Sequence, residues 1–157
     1  MRILELVADA DGSVIQRQAK VAGTRMRYDA RMEYSGKVYM VEFDGDSHFR
    51  DANVIYRDNL KDAAMAQAGI SVVRIPYFVQ LDNDTFYALF GFDCPFSIRT
   101  DFPHGFITTK MLPASFCGLG VSRFKNVLKQ LPEQVVQQID KSLDEKVKGG
   151  LPVEFVR

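Results

Sequence analysis

The chain has no tryptophan, two histidines and two cysteines among its 157 residues. Cys94 and Cys117 form no CxxC pair and read as reduced, buried thiols rather than a disulfide framework. No apolar run reaches the roughly 18 residues of a membrane helix. The opening Met1–Val7 is too short for the apolar region of a signal peptide. A cytoplasmic location is the expectation. An excess of one charge is also missing, since 20 Lys and Arg oppose 20 Asp and Glu. No global field therefore announces nucleic acid. Repeats, low-complexity tracts and a clear linker are absent.

What is present is ordinary in bulk and uneven in detail. A chain of this length is one domain and buries a real core. Hydrophobic residues make up 46% and charged residues 25%, as in soluble globular proteins. From Arg17 to Lys37, six basic residues (Arg17, Lys20, Arg25, Arg27, Arg31, Lys37) stand against two acidic ones (Asp29, Glu33). That local excess suits a phosphate backbone. It equally suits an edge hairpin whose basic side chains block strand-to-strand association.

Ile3–Val7 fits either a strand or a helix stub, and Asp9-Ala10-Asp11-Gly12 is a turn. Val14–Val21 reads as extended. In Arg25–Tyr34, alternation places Met26, Tyr28, Ala30, Met32 and Tyr34 on one face, with Arg27, Asp29, Arg31 and Glu33 on the other. Ser35-Gly36 turns the chain into a strand at Lys37–Asp44. Its apolar residues fall on both sides, as in a central strand. A helix follows over about 52–68, capped by Asp51 or Asn53 and stopped by Gly69. Its expected inward stripe is Tyr56, Leu60, Ala63 and Ala64, with Asp58, Lys61 and Asp62 outward. Ile70–Ile75 is a strand ended by Pro76, and strand–helix–strand implies a right-handed parallel crossover. Beyond it come a short helix at Thr85–Phe90 and an aromatic, Pro- and Gly-rich segment from 92 to 118. A helix capped by Ser122 then runs to Gln130. Pro132 opens the last helix, with Val135, Val136, Ile139, Leu143 and Val147 on one stripe and Gly149-Gly150 at its end.

The chemistry concentrates in Val41-Glu42-Phe43-Asp44-Gly45 and His48, with Asp29 on the preceding strand. Two carboxylates about 5 Å apart repel by roughly 3 kcal/mol at an effective dielectric near 20. Clustering Asp29, Glu42 and Asp44 therefore calls for a proton or a cation. Hard oxygen ligands suit Mg2+ or Mn2+, and His48 titrates in the range useful for proton transfer. The plain alternatives are that Asp44-Gly45 is turn chemistry, that His48 caps a surface element, and that Glu42 pairs with Arg27, Arg31 or Arg74.

These residues carry a resemblance. Gln16-Arg17-Gln18, Tyr28-Asp29, E-x-D-G-x-x-H from Glu42 to His48, Arg57-Asp58, and Gly69-Ile70-Ser71-Val72-Val73-Arg74 resemble the very-short-patch-repair-type nucleases of the PD-(D/E)XK superfamily. The likeness covers about residues 14–80. It implies an α/β fold with a mixed-sheet, restriction-endonuclease-like β-β-α-β core and a metal-dependent cut in DNA. By resemblance, Asp29 and Glu42 hold Mg2+ or Mn2+ together with the Phe43 carbonyl. Asp44 stands where the wider superfamily places a lysine that orients the attacking water, and His48 inherits that role. Arg57 borders the site. The family opens with a longer helix that carries a glutamate toward the metal. Here Glu5 is the sole candidate, placed shortly before Gln18.

The expected function is thus a DNA endonuclease with catalytic Asp29, Glu42, Asp44 and His48. Arg17, Arg25, Arg27, Arg31, Arg57 and Lys61 would meet the nucleic acid. Residues 1–80 form the nuclease-like core, and 81–157 form an aromatic-rich and helical extension packed on the same domain. Two alternatives remain open: a nuclease-like fold that binds nucleic acid or protein without cutting, and a homodimer built through the C-terminal region. His104, between Pro103 and Gly105, reads as a turn residue.

Overall fold

The computed structural model describes residues 1–99 and 112–147, with side chains to residue 145. Phe102-Pro103-His104-Gly105-Phe106, the Val147 side chain and Gly149-Gly150 lie outside the described residues. Among the described residues the main elements are α1 (Arg2–Ala10), β1 (Gln16–Lys20), β2 (Arg27–Tyr34), β3 (Lys37–Asp44), α2 (Ser47–Arg50), α3 (Ala52–Gln67), β4 (Ser71–Pro76), α4 (Asn83–Phe90) and α5 (Gly118–Leu128). A tenth, α6 (Glu133–Val147), follows. The sheet is mixed, in the order β1-β2-β3-β4. β1 and β2 pair antiparallel, as do β2 and β3, while β3 and β4 run parallel across the α3 crossover. The fold is α/β.

Local chemistry explains the joints. Ser35 and Gly36 both take positive φ, at 48° and 73°, the pairing that matches the twist of a two-residue hairpin. The Asp51 carboxylate accepts from the Asn53 and Val54 N–H groups and starts α3. Gly69, at φ 69°, ends it. Residues 2–10 resolve as a helix because Leu4, Val7 and Ala8 fall at helical spacing and are buried together.

β3 is covered on both faces, as its composition implies. On one face, Tyr39 and Val41 pack with Ala30, Met32, Val73 and Ile75 against α1 and α4. On the other, Met40 packs with Tyr28 and Met65 beneath α3. A second apolar cluster joins Phe49, Phe78 and Val79 to Phe116, Phe124, Val135, Ile139 and Leu143. The helical extension is thereby packed on the segments that flank β3 and β4.

Four expectations change. The β2 alternation is not continuous, because Tyr28 packs on the α3 face whereas Ala30 and Met32 pack on the α1 face. The slip falls at Asp29. α3 is rotated from its expected orientation: Tyr56 is 63% and Leu60 51% exposed, while Ile55, Asp58 and Met65 are buried. The inward stripe includes carboxylates because arginines from β4 and α5 meet them. Finally, α5 begins at Gly118, and Ser122 lies within it, its hydroxyl donating to the Gly118 carbonyl. The helix starts where the backbone docks on α2. Cys117 N–H donates to the Phe49 carbonyl at 3.2 Å, and a Cβ at Gly120 would lie 1.6 Å from that same oxygen. Cys94 and Cys117 are free and half-buried rather than buried.

Candidate functional site

The sequence-predicted carboxylates divide into two groups along β3. The first is built where β2 and β3 part. The last paired residues there are Ala30 and Val41. One step further, the Asp29 carboxylate takes over the strand's role and accepts the Phe43 N–H at 2.9 Å. Its other oxygen accepts from the Gln18 side-chain amide at 3.2 Å. Glu42, nearly buried, is ion-paired to Lys61 from α3 rather than to an arginine. The Lys61 ammonium also donates to the Arg27 carbonyl at 2.9 Å and lies 4.3 Å from the centre of the Tyr28 ring. Burial pushes the Glu42 carboxyl up, Lys61 opposes this, and the Asp29 charge pushes it further up. Burial raises the Tyr28 phenol to about 12, helped by Asp62, and its hydroxyl has no hydrogen-bond partner among the described residues.

The second group surrounds Asp44, which is 2% exposed. One Asp44 oxygen accepts from Arg74 Nη1 at 2.7 Å and the other from Arg123 Nη2 at 3.0 Å. His48 Nδ1 lies 2.7 Å from Asp58 Oδ2 and 3.5 Å from Asp44 Oδ1. Arg123 also donates to Asp58 at 2.7 Å and to the His48 carbonyl at 3.3 Å. Arg74 reaches Asp58 at 3.3 Å and grips Asp62 with two donors at 2.8 and 2.9 Å. Three carboxylates thus meet two guanidiniums and one imidazole, and the set is neutral when His48 is protonated. The hydrogen bond to Asp58 raises the His48 pKa against the effect of burial, with Asp44 adding to the rise. Burial pushes Asp58 up, but its bonds to His48 and Arg123 outweigh that and hold it at about 2. Ligand atoms of Asp44, His48 and Asp58 lie within 4.8 Å of one another, close enough to share a cation.

The remaining sequence candidates are dispersed. Arg17 pairs with Glu5 across β1 and α1, so that glutamate faces a cation. Arg31 pairs with Glu33 at 3.4 Å. Arg25, Arg27 and Arg57 are exposed, and Arg57 Nε donates to the Asn53 carbonyl at 3.3 Å. The sequence assigns no role to Asp62 or Arg123, and it places Asp58, Lys61 and Asp62 outward, whereas all three turn toward partners on β3, β4 and α5. One signal for Asp58 was present: it lies three residues from Ile55 and seven from Met65, on their face of the helix. Nothing local marks Arg123, since its partners are 65 and 79 residues away.

No protein-family model matches the chain, and neither does any curated protein or solved structure. Among the described residues, no helix is long and apolar enough to cross a membrane.

Proposed function

We propose that the chain is a metal-dependent DNA endonuclease with a restriction-endonuclease-like core. The observation that carries this reading is the contact of Lys61 with Glu42, beside Asp29. An aspartate, a glutamate and a lysine are the groups of the wider superfamily, whereas the resemblance to the very-short-patch-repair type gives the third role to His48. Asp44 fills the lysine's usual strand position, and α3 supplies the ammonium from across the sheet face.

By resemblance, Asp29, Glu42 and the Phe43 carbonyl would supply an all-oxygen donor set of the kind that suits Mg2+ or Mn2+. Burial and the Asp29 charge both push the Glu42 carboxyl up, and a cation there would relieve both effects. A divalent cation so held would polarise a phosphoryl oxygen and lower the pKa of its water. Lys61 would orient the attacking water and counter the charge developing on the phosphate. The Asp44–His48–Asp58 group suits a cation less well, because Arg74 and Arg123 already occupy its oxygens. In this reading it braces β3, α2 and α3, and the proton-transfer role expected of His48 passes to Lys61. Exposed Arg25, Arg27 and Arg57 would meet the phosphate backbone.

Supercoiled and single-stranded DNA incubated with Mg2+ or Mn2+ provides the test. The wild type should cut, and Asp29→Ala and Glu42→Gln should not. Lys61→Met should lower the rate at saturating DNA by about 100-fold or more. No cutting by the wild type, or undiminished cutting by Glu42→Gln, refutes the reading. The second reading is a nuclease-like fold that binds nucleic acid or protein without cutting. The Glu42–Lys61 pair favours it, since it neutralises Glu42 with no metal. Calorimetry separates the two: only the nuclease binds Mn2+ in a way that Glu42→Gln abolishes.

A further inference from the structure

We infer that Gln18 is a positioning residue that fixes the rotation of the Asp29 carboxylate. The inference rests on the nuclease reading, in which Asp29 is a metal ligand.

Three features of the edge strand converge on this residue. Gln18 has a φ of 51°, one of two non-glycine residues with positive φ among those described. Glycine takes such a conformation without strain; here a long carboxamide takes it instead, and such strain is commonly stored at functional sites. The β1–β2 register pairs Arg17 with Ala30 and Ala19 with Tyr28, leaving Gln18 and Asp29 facing each other in the step between. At that same step, the side chains of β2 change from the α3 face to the α1 face.

The consequence is an aspartate held from two sides. Gln18 Nε2 donates to Oδ1 and the Phe43 N–H donates to Oδ2. A carboxylate oxygen offers two lone pairs, so each keeps one for a further partner. Gln18 is also a neutral donor. An arginine at this position would cancel the Asp29 charge, as Arg74 and Arg123 do for Asp44, whereas an amide orients the carboxylate and leaves its charge for a cation. Partners that orient a ligand in this way are typically worth 10- to 100-fold in metal affinity.

Two variants separate orientation from backbone geometry. Asparagine tolerates left-handed φ, but its amide ends one methylene short of Asp29. Glycine relieves the strain and removes the amide. Mn2+ titration calorimetry should show Gln18→Asn and Gln18→Gly binding about tenfold more weakly than wild type. Cleavage should need correspondingly more Mn2+, at an unchanged KM for DNA. In chelator, the unfolding temperature should be unchanged for Gln18→Asn and equal or higher for Gln18→Gly. Wild-type Mn2+ affinity in both variants overturns the inference and leaves the nuclease reading standing. Loss of affinity that tracks a fall in unfolding temperature in both also overturns it, by assigning Gln18 to stability alone. A wild type that binds no Mn2+ removes the nuclease reading and this inference with it.

Discussion

Arg123 carries more polar contacts than its place on a C-terminal helix would require. Its guanidinium joins Asp44, Asp58 and the His48 carbonyl, and stacks 5.7 Å from the centre of the Phe49 ring. A planar fork of donors satisfies several acceptors at once, which an ammonium does not. Removing one member of a buried ionic set leaves the others uncompensated, and the typical cost is about 3–5 kcal/mol. Arg123→Met should therefore lower the unfolding free energy by about that amount in urea titrations, although methionine fills similar space. A loss under about 1 kcal/mol would mean that the set is solvated. Lys61 differs in kind: it is partly exposed and meets a single carboxylate, Glu42, with an ammonium rather than a planar fork.

At the scale of elements, α3 shows what the chain discloses by itself and what it withholds. The strands, the hairpin at Ser35-Gly36, the parallel crossover and both ends of α3 follow from alternation, turn residues and caps, which act over a few positions. The rotation of α3 does not. Helical spacing allows Tyr56 and Leu60 to be inward, and their apolar character favours it. The face actually buried holds Ile55, Asp58 and Met65, because Arg74 and Arg123 arrive from elsewhere to neutralise Asp58. The candidate site divides in the same way. Asp29 and Glu42 stand out as acidic residues in a half-apolar hairpin, whereas the Lys61 contact depends on that rotation. The two faces give opposite predictions. Tyr56→Ser and Leu60→Gln should each change stability by no more than about 0.5 kcal/mol. Ile55→Ala should cost about 2–5 kcal/mol. Chemical denaturation of the three variants decides which face is inward.

At the scale of the whole molecule, the neutral ionic set makes stability depend on pH from both ends. The folded pKa of His48 is raised above its ordinary 6.5. Its stabilising effect is complete below that value and is lost as pH rises through the folded pKa. Asp58 works the other way. Its pKa falls from 3.8 to about 2, so its effect is complete above 3.8 and is lost as pH falls toward 2. Unfolding free energy measured against pH should decline on the alkaline side of 6.5, and His48→Gln should flatten that decline. A wild-type curve that is level from pH 6 to 9 would show that the imidazole takes no part in the charge balance. Asp44, Asp58, Asp62, Arg74 and Arg123 are the charged groups that set it.

The hydrogen bond from Arg123 to Asp44 spans 79 residues, whereas the β2–β3 hairpin closes across two. Loop closure grows costlier with length, which predicts that the hairpin assembles early in folding and the arginine docks late. Bonds made after the rate-limiting step leave the folding rate almost untouched and act on the rate of unfolding. The expected outcome is a kinetic latch: Arg123→Met should speed unfolding far more than it slows folding in stopped-flow measurements.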